Sequence, residues 1–206
     1  MADPTPRAAM LVIGDEILSG RTRDRNMHHL AQELTKHGIA LVEVREVADN
    51  RAAIVAAIRA LSRAHPVVFT SGGIGPTHDD ITADAVAEAM GVPIDVRADA
   101  RALLEAHYDR IGAELNAARL RMARIPEGAT LIDNPVSAAP GFTLANLHVM
   151  AGVPEVFEAM VASVLPTLTG GPQMLSQSLR VMRGEGDIAA DLSALAAEFP
   201  YLSVGC

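Results

Sequence analysis

The segment from Pro66 to Gly91, PVVFTSGGIGPTHDDITADAVAEAMG, constrains the fold more than any other part of this chain. Its opening run, Val67, Val68 and Phe69, has the length and apolar content of a buried strand, and its last third has the spacing of a helix ending at Gly91. Between them lie Gly72, Gly73 and Gly75, then Pro76, then the carboxylates Asp79 and Asp80. Glycine has no Cβ, so a strand–glycine loop–helix unit brings backbone N–H groups up to a phosphate. Two carboxylates in the same loop would repel a bare phosphate. A divalent cation removes the conflict, because Mg²⁺ is commonly held by one or two carboxylates together with substrate phosphates. The segment therefore predicts an α/β protein with a site for a phosphorylated ligand and a metal ion.

The rest of the chain repeats the alternation. Strand-like runs are expected at Ala8–Ile13, Ile39–Val47, Ala129–Asp133, Phe142–Leu144 and Leu147–Ala151. Helical spacing occurs over Asn26–His37, Arg51–Ala64, Ala83–Gly91 and Pro154–Leu168, and over Arg97–Arg124 as two helices broken near Gly112. Such alternation predicts a three-layer α/β/α domain with a mostly parallel sheet, over residues 8–170. After the breaker Gly170-Gly171-Pro172, residues 171–206 are expected to form a small strand–helix–strand appendage. Its parts are a strand at Leu175–Met182, a helix at Asp187–Phe199 and a strand begun at Leu202–Cys206.

In such a sheet, ligands bind beyond the carboxyl ends of the strands. The expected strands end in Gly14-Asp15-Glu16, in Asp49-Asn50, in the glycine loop, in Asp133-Asn134 and in Gly152-Val153-Pro154-Glu155. Carboxylates and glycines from several strands thus converge on one edge, which suits metal-assisted phosphoryl chemistry. Each has a plainer explanation: Asp49 and Asn50 can cap the next helix, and so can Asp79 or Asp80. A pair of carboxylates beside three glycines exceeds what capping needs. Arg21, Arg23 and Arg25 read as a solvated loop, and the neighbouring His28 and His29 lack metal-ligand spacing.

Other classes are excluded or disfavoured. The formal net charge of −8 and 3% aromatic content argue against nucleic acid, which needs a basic footprint and stacking rings. No apolar run is long enough to span a membrane. The single cysteine, Cys206, makes no internal disulfide, and a cytoplasmic location is expected. Gly73-Ile74-Gly75-Pro76-Thr77-His78 lacks the last glycine of the dinucleotide fingerprint, and neither a Walker A motif nor a G-x-S-x-G elbow occurs.

Taken together, Ser71-Gly72-Gly73-Ile74-Gly75-Pro76-Thr77 with Asp79, Asp80 and Thr82 resembles the signature of the MoaB/Mog molybdopterin-binding domain. Gly14-Asp15-Glu16-Ile17-Leu18-Ser19-Gly20 with Asn26 is similar to the opening of its CinA branch. Ile125-Pro126-Glu127-Gly128-Ala129, Asn134-Pro135-Val136, Ala139-Pro140-Gly141-Phe142 and Gly152-Val153-Pro154-Glu155 continue the likeness in order. The resemblance implies a three-layer α/β fold and a ligand that is a phosphorylated pterin, such as molybdopterin, or a nucleotide. For the CinA branch it implies metal-dependent hydrolysis of ADP-ribose-like dinucleotides; the alternatives are adenylyl transfer to molybdopterin and a non-catalytic binding module. It assigns Asp80 and Asp49 as the catalytic and metal-holding carboxylates. Around them it places a ligand-binding set of Gly14, Asp15, Glu16, Ser71, Gly72, Gly73, Gly75, Thr77, Asp79, Thr82, Asn134, Gly141, Gly152 and Pro154. Ser137 and Ala138 stand where many CinA relatives have glycine and threonine, and Ala151 where proline is common. The family segment runs past the position of Cys206, so a truncated chain is expected. A dimer or trimer is expected as well, with Leu103, Leu104, Ala118 and Leu120 as a helical contact surface.

Overall fold

Six consecutive apolar residues, Ala8 to Ile13, make β1 (Arg7–Ile13) too hydrophobic for a strand with a wet face, and all six are buried. Its side chains alternate between two cores. Ala9, Leu11 and Ile13 pack toward α3 (Arg51–Ala64) and α4 (Thr82–Met90), against Ile54, Ile58, Leu61 and Val86. Ala8, Met10 and Val12 pack toward α2 (Asn26–Lys36) and α7 (Pro154–Val164), against Leu30, Leu34, Phe157 and Met160. One strand with helices on both faces is what three α/β/α layers require.

In the computed structural model, which describes residues 5–173 and 175–205, β1 lies in a six-stranded sheet. The order across the sheet is β2 (Ala40–Val47), β1, β3 (Val67–Ser71), β8 (Leu147–Met150), β7 (Gly141–Leu144) and β6 (Thr130–Ile132). The first four run parallel. β7 is antiparallel to both its neighbours, so β6 again points the way of β8. The carboxyl ends of β1, β2, β3, β8 and β6 therefore share one edge.

Three short elements escape the periodicity. A one-turn helix, α1 (Asp15–Leu18), follows β1, and β4 (Ile94–Val96) pairs antiparallel with β5 (Arg124–Pro126) as a separate two-stranded ribbon. The charged stretch between them forms α5 (Ala98–Arg110), a break at Gly112 (φ +66°), α6 (Ala117–Leu120) and a 3₁₀ turn, Arg121–Ala123. Leu104 and Ala100 are wholly buried in the core, so the contact surface expected there is smaller than its sequence suggests: Leu104 is not part of it.

The chain divides into two compact units, Met1–Met174 and Leu175–Cys206. In the second, the described residues hold one helix, α8 (Glu185–Glu198), and no strand. The strand expected at Leu175–Met182 is irregular backbone. Its apolar residues alternate with Ser176, Gln177, Ser178 and Arg180, and no neighbouring strand pairs with them among the described residues. Leu202–Gly205 likewise forms no strand, and Cys206 lies outside the described residues. Among those residues no helix is long and apolar enough to cross a membrane.

Candidate functional site

Three strand ends meet backbone to backbone. Gly72, the first residue after β3, has φ +107°, and a Cβ there would collide with the carbonyl oxygen of Ile13 at the end of β1. A Cβ on Gly152, just beyond β8, would stand 3.2 Å from the Cα of Gly72. Gly73 has φ +69° and no room beside the Thr82 hydroxyl. These glycines are thus dictated by positive φ and close approach.

Side chains beneath the loops hold the junction. Thr82, fully buried at the start of α4, donates its hydroxyl to the Gly72 carbonyl (2.9 Å), and its N–H bonds the Gly73 carbonyl (2.9 Å). Asn26, 4% exposed at the start of α2, donates Nδ2 to Ser71 Oγ (2.7 Å) and to the Gly152 carbonyl (2.8 Å). Its Oδ1 is buried with no partner. An unpaired buried carbonyl is costly, so the amide is held in place by its two donated bonds.

Above this junction lies a cleft of about 480 Å³. Its polar wall carries Glu16, Asp49, Asp79 and Asp80, with Gly14, Gly72, Gly73, Gly75 and Gly152 as its backbone surface. Asn134 closes one side. Its amide bonds Ser137 Oγ, the Ala139 carbonyl and the N–H groups of Val136 and Ser137, so it shapes the loop after β6. The remaining wall is aliphatic, with Ile13, Ile74, Met122, Val153 and Val156.

Ten of the residues expected at the site line this cleft: Gly14, Glu16, Asp49, Gly72, Gly73, Gly75, Asp79, Asp80, Asn134 and Gly152. The other six do not. Ser71 and Thr82 are the buried ties already described, and Pro154 opens α7, where its fixed φ suits the first helical turn. Gly141 sits inside β7, where a Cβ would strike the Val149 carbonyl 2.5 Å away; it is a packing glycine. Thr77 gives its N–H (2.7 Å) and hydroxyl to Asp80 Oδ2, and Asp15 gives its N–H to Asp49 Oδ2 (2.9 Å). Both orient a carboxylate from behind. Arg21, Arg23 and Arg25 are exposed and outside the cleft wall, whereas Ser137 and Ala151, two of the departures from the CinA pattern, are part of it.

The charges are unevenly shared. Partial burial pushes the Asp49 carboxyl above its ordinary range, against the N–H bond from Asp15, and the charges of Asp15, Glu16 and Asp79 push it the same way. Asp80 has one oxygen committed to Thr77, and Arg121 Nη2 reaches its backbone carbonyl at 3.3 Å. Among the described residues no three His, Cys, Asp or Glu side chains form a ready-made metal cluster. The donors on the wall are hard carboxylate oxygens, the kind that Mg²⁺ takes one or two at a time beside a ligand's own oxygens. The residues present fit such an ion when it arrives with a phosphorylated ligand.

The family described as "Probable molybdopterin binding domain" matches residues 9–170. The chain belongs to this family, in its CinA-like branch. It is 40% identical over 169 residues to a CinA-like protein of Citrifermentans bemidjiense, covering 80% of this chain but 41% of that relative, so it spans less than half of that protein's length. A crystal structure of the protein CinA from Thermoplasma acidophilum superposes with a TM-score of 0.72 at 32% identity, over 78% of this chain and 98% of that one. The molybdopterin biosynthesis enzyme MoaB from Thermus thermophilus shares the fold, with a TM-score of 0.52 at 17% identity over 82% and 99% of the two chains. The matched span holds the whole cleft. The apolar members of its wall that no motif marked include Ile13, Met122 and Val156, which come from a strand end, a charged segment and a helix face that reads as core.

Proposed function

We propose that this CinA-like domain binds a phosphorylated pterin or nucleotide in the cleft and, with a divalent cation, hydrolyses a dinucleotide pyrophosphate of the ADP-ribose kind. One observation carries the reading: carboxylates at the ends of β1, β2 and β3 line a single open cleft together with the backbone of the glycine loop. The N–H groups of the glycine loop would take phosphate oxygens. Asp49 and Asp80 would hold the ion, with Asp79 and Glu16 beside them. When bound, it supplies positive charge to phosphate oxygens and lowers the pKa of a coordinated water. Asp15 fixes the Asp49 carboxylate through its N–H. The aliphatic wall of Ile74, Met122 and Val153 offers an apolar surface to a pterin or purine ring.

The test is a panel of ADP-ribose, FAD and NAD, each with Mg²⁺, Mn²⁺ or Co²⁺. Metal-dependent cleavage of at least one, abolished by EDTA, is the expected result. Failure to cleave any of them, with adenylyl transfer from ATP to molybdopterin instead, would replace hydrolysis by the transferase reading. Binding without turnover would leave a ligand-binding module.

A further inference from the structure

The main cleft has a deficit that its own wall does not repair. Four carboxylates line it, and no Lys, Arg or His does. A pyrophosphate would bring more negative charge to the same place. Beside it lies a smaller cleft that shares Gly73, Ile74, Gly75, Asp80 and Met122 and carries two arginines, Arg121 and Arg124.

These two cations differ. Arg124 Nη2 stands 2.6 Å from Asp84 Oδ1, and both side chains are half-buried. That hydrogen bond holds the guanidinium above its ordinary pKa, and leaving it would strand Asp84. Arg121 is exposed and forms no ion pair among the described residues. It directly precedes Met122, which lines the main cleft. Its Nη2 donates a single 3.3 Å bond to the Asp80 carbonyl, so the guanidinium stands against the carboxylate loop. A long, exposed bond to a neutral carbonyl is weak. A guanidinium–phosphate bond is shorter, charge-assisted and able to use two N–H groups at once.

Resting on the phosphate-ligand reading above, we propose that Arg121 is the cleft's own cation. It leaves the Asp80 carbonyl when a diphosphate ligand enters and clamps oxygens of the phosphate farther from the carboxylates. The ion and the glycine loop then serve one phosphate and Arg121 the other. The site therefore selects diphosphate-bridged nucleotides over monophosphates.

Calorimetric titration with the α,β-methylene analogue of ADP-ribose, whose bridge cannot be hydrolysed, tests this beside AMP, both with Mg²⁺. Arg121→Gln should weaken analogue binding by about 10- to 100-fold, the worth of a lost charged hydrogen-bond partner. AMP binding should fall far less, and the melting temperature should hold. Arg121→Lys should recover part of the loss, keeping charge without the fork. Arg119→Gln, which removes a guanidinium stacked 4.5 Å from the Tyr108 ring, should leave binding unchanged. Equal analogue affinity in the parent and Arg121→Gln, or an equal loss in Arg119→Gln, would overturn the proposal while leaving the phosphate site intact. No binding of the analogue to the parent protein would overturn both.

Discussion

Two asparagines bridge loops at opposite ends of this sheet, and they are bonded very differently. At the amino-terminal edge, Asn146 precedes β8. Its Nδ2 donates to the carbonyls of Ser62 (2.9 Å) and His65 (2.7 Å), and its Oδ1 accepts from Ser62 Oγ (2.7 Å). Nearby, His65 meets Glu43 at 2.7 Å. At the carboxyl-terminal edge, Asn26 makes two bonds and leaves a buried Oδ1 unpaired, beneath a cleft that gathers like charges. The first edge is satisfied in every arm, as a structural clamp should be. The second holds an unpaired acceptor and a carboxylate of raised pKa. Such features persist where a site needs a fixed shape and charge more than stability.

The largest effect expected is at the glycine junction. Gly72→Ala forces a Cβ into the Ile13 carbonyl at φ +107°, which should cost roughly 2–5 kcal/mol from backbone strain and overpacking. Thermal unfolding should show a drop of about 5–20 °C. A loss under 1 °C would mean the strand ends are less tightly joined than described. The asparagines come next and test the comparison itself. Asn146→Ala removes three bonds at once and should cost about 2 kcal/mol with ligand affinity kept. Asn26→Ala should cost about 1 kcal/mol, because losing two bonds is partly offset by removing the unpaired acceptor. Its ligand affinity should nonetheless fall, since Ser71 and Gly152 are no longer tied. If the two variants lose stability and affinity in the same proportion, the two edges do not differ in kind.

Much of this architecture was legible in the chain because strands and helices of an α/β fold follow from apolar spacing. Ile54, Ile58 and Leu61 fall where helical periodicity puts them, as do Leu30 and Leu34. What escaped were elements too short to have a period: the single turn Asp15–Leu18 and the three-residue strands Ile94–Val96 and Arg124–Pro126. The strand expected at Leu175–Met182 failed for the opposite reason. Alternation of apolar and polar residues makes a strand only when a partner strand accepts its hydrogen bonds. At the site, glycines and carboxylates at strand ends marked most of the polar wall. The motif could not separate residues that face the cleft from those that brace it, so Ser71, Thr82 and Gly141 carry the signature and act from below. Side-chain direction, set by hydrogen bonds such as Thr77 to Asp80, is a tertiary property.

The cleft gathers carboxylates at a cost to the fold, and Asp49→Asn tests this most directly. The folded-state pKa of Asp49 is raised above its ordinary value of 3.8, so the fold favours the protonated group. Its contribution to stability is therefore best at low pH and declines as pH rises from about 3.8 through the raised value. At neutral pH an amide of the same shape, still able to accept the Asp15 N–H, relieves that penalty. The melting temperature of Asp49→Asn should equal or exceed the parent's at pH 7, and the difference should shrink at pH 4. Metal-dependent ADP-ribose hydrolysis by the same variant should fall at least about 10- to 100-fold, the loss typical when support for a metal site is removed. A variant that melts lower than its parent and hydrolyses at the parent rate would contradict the account.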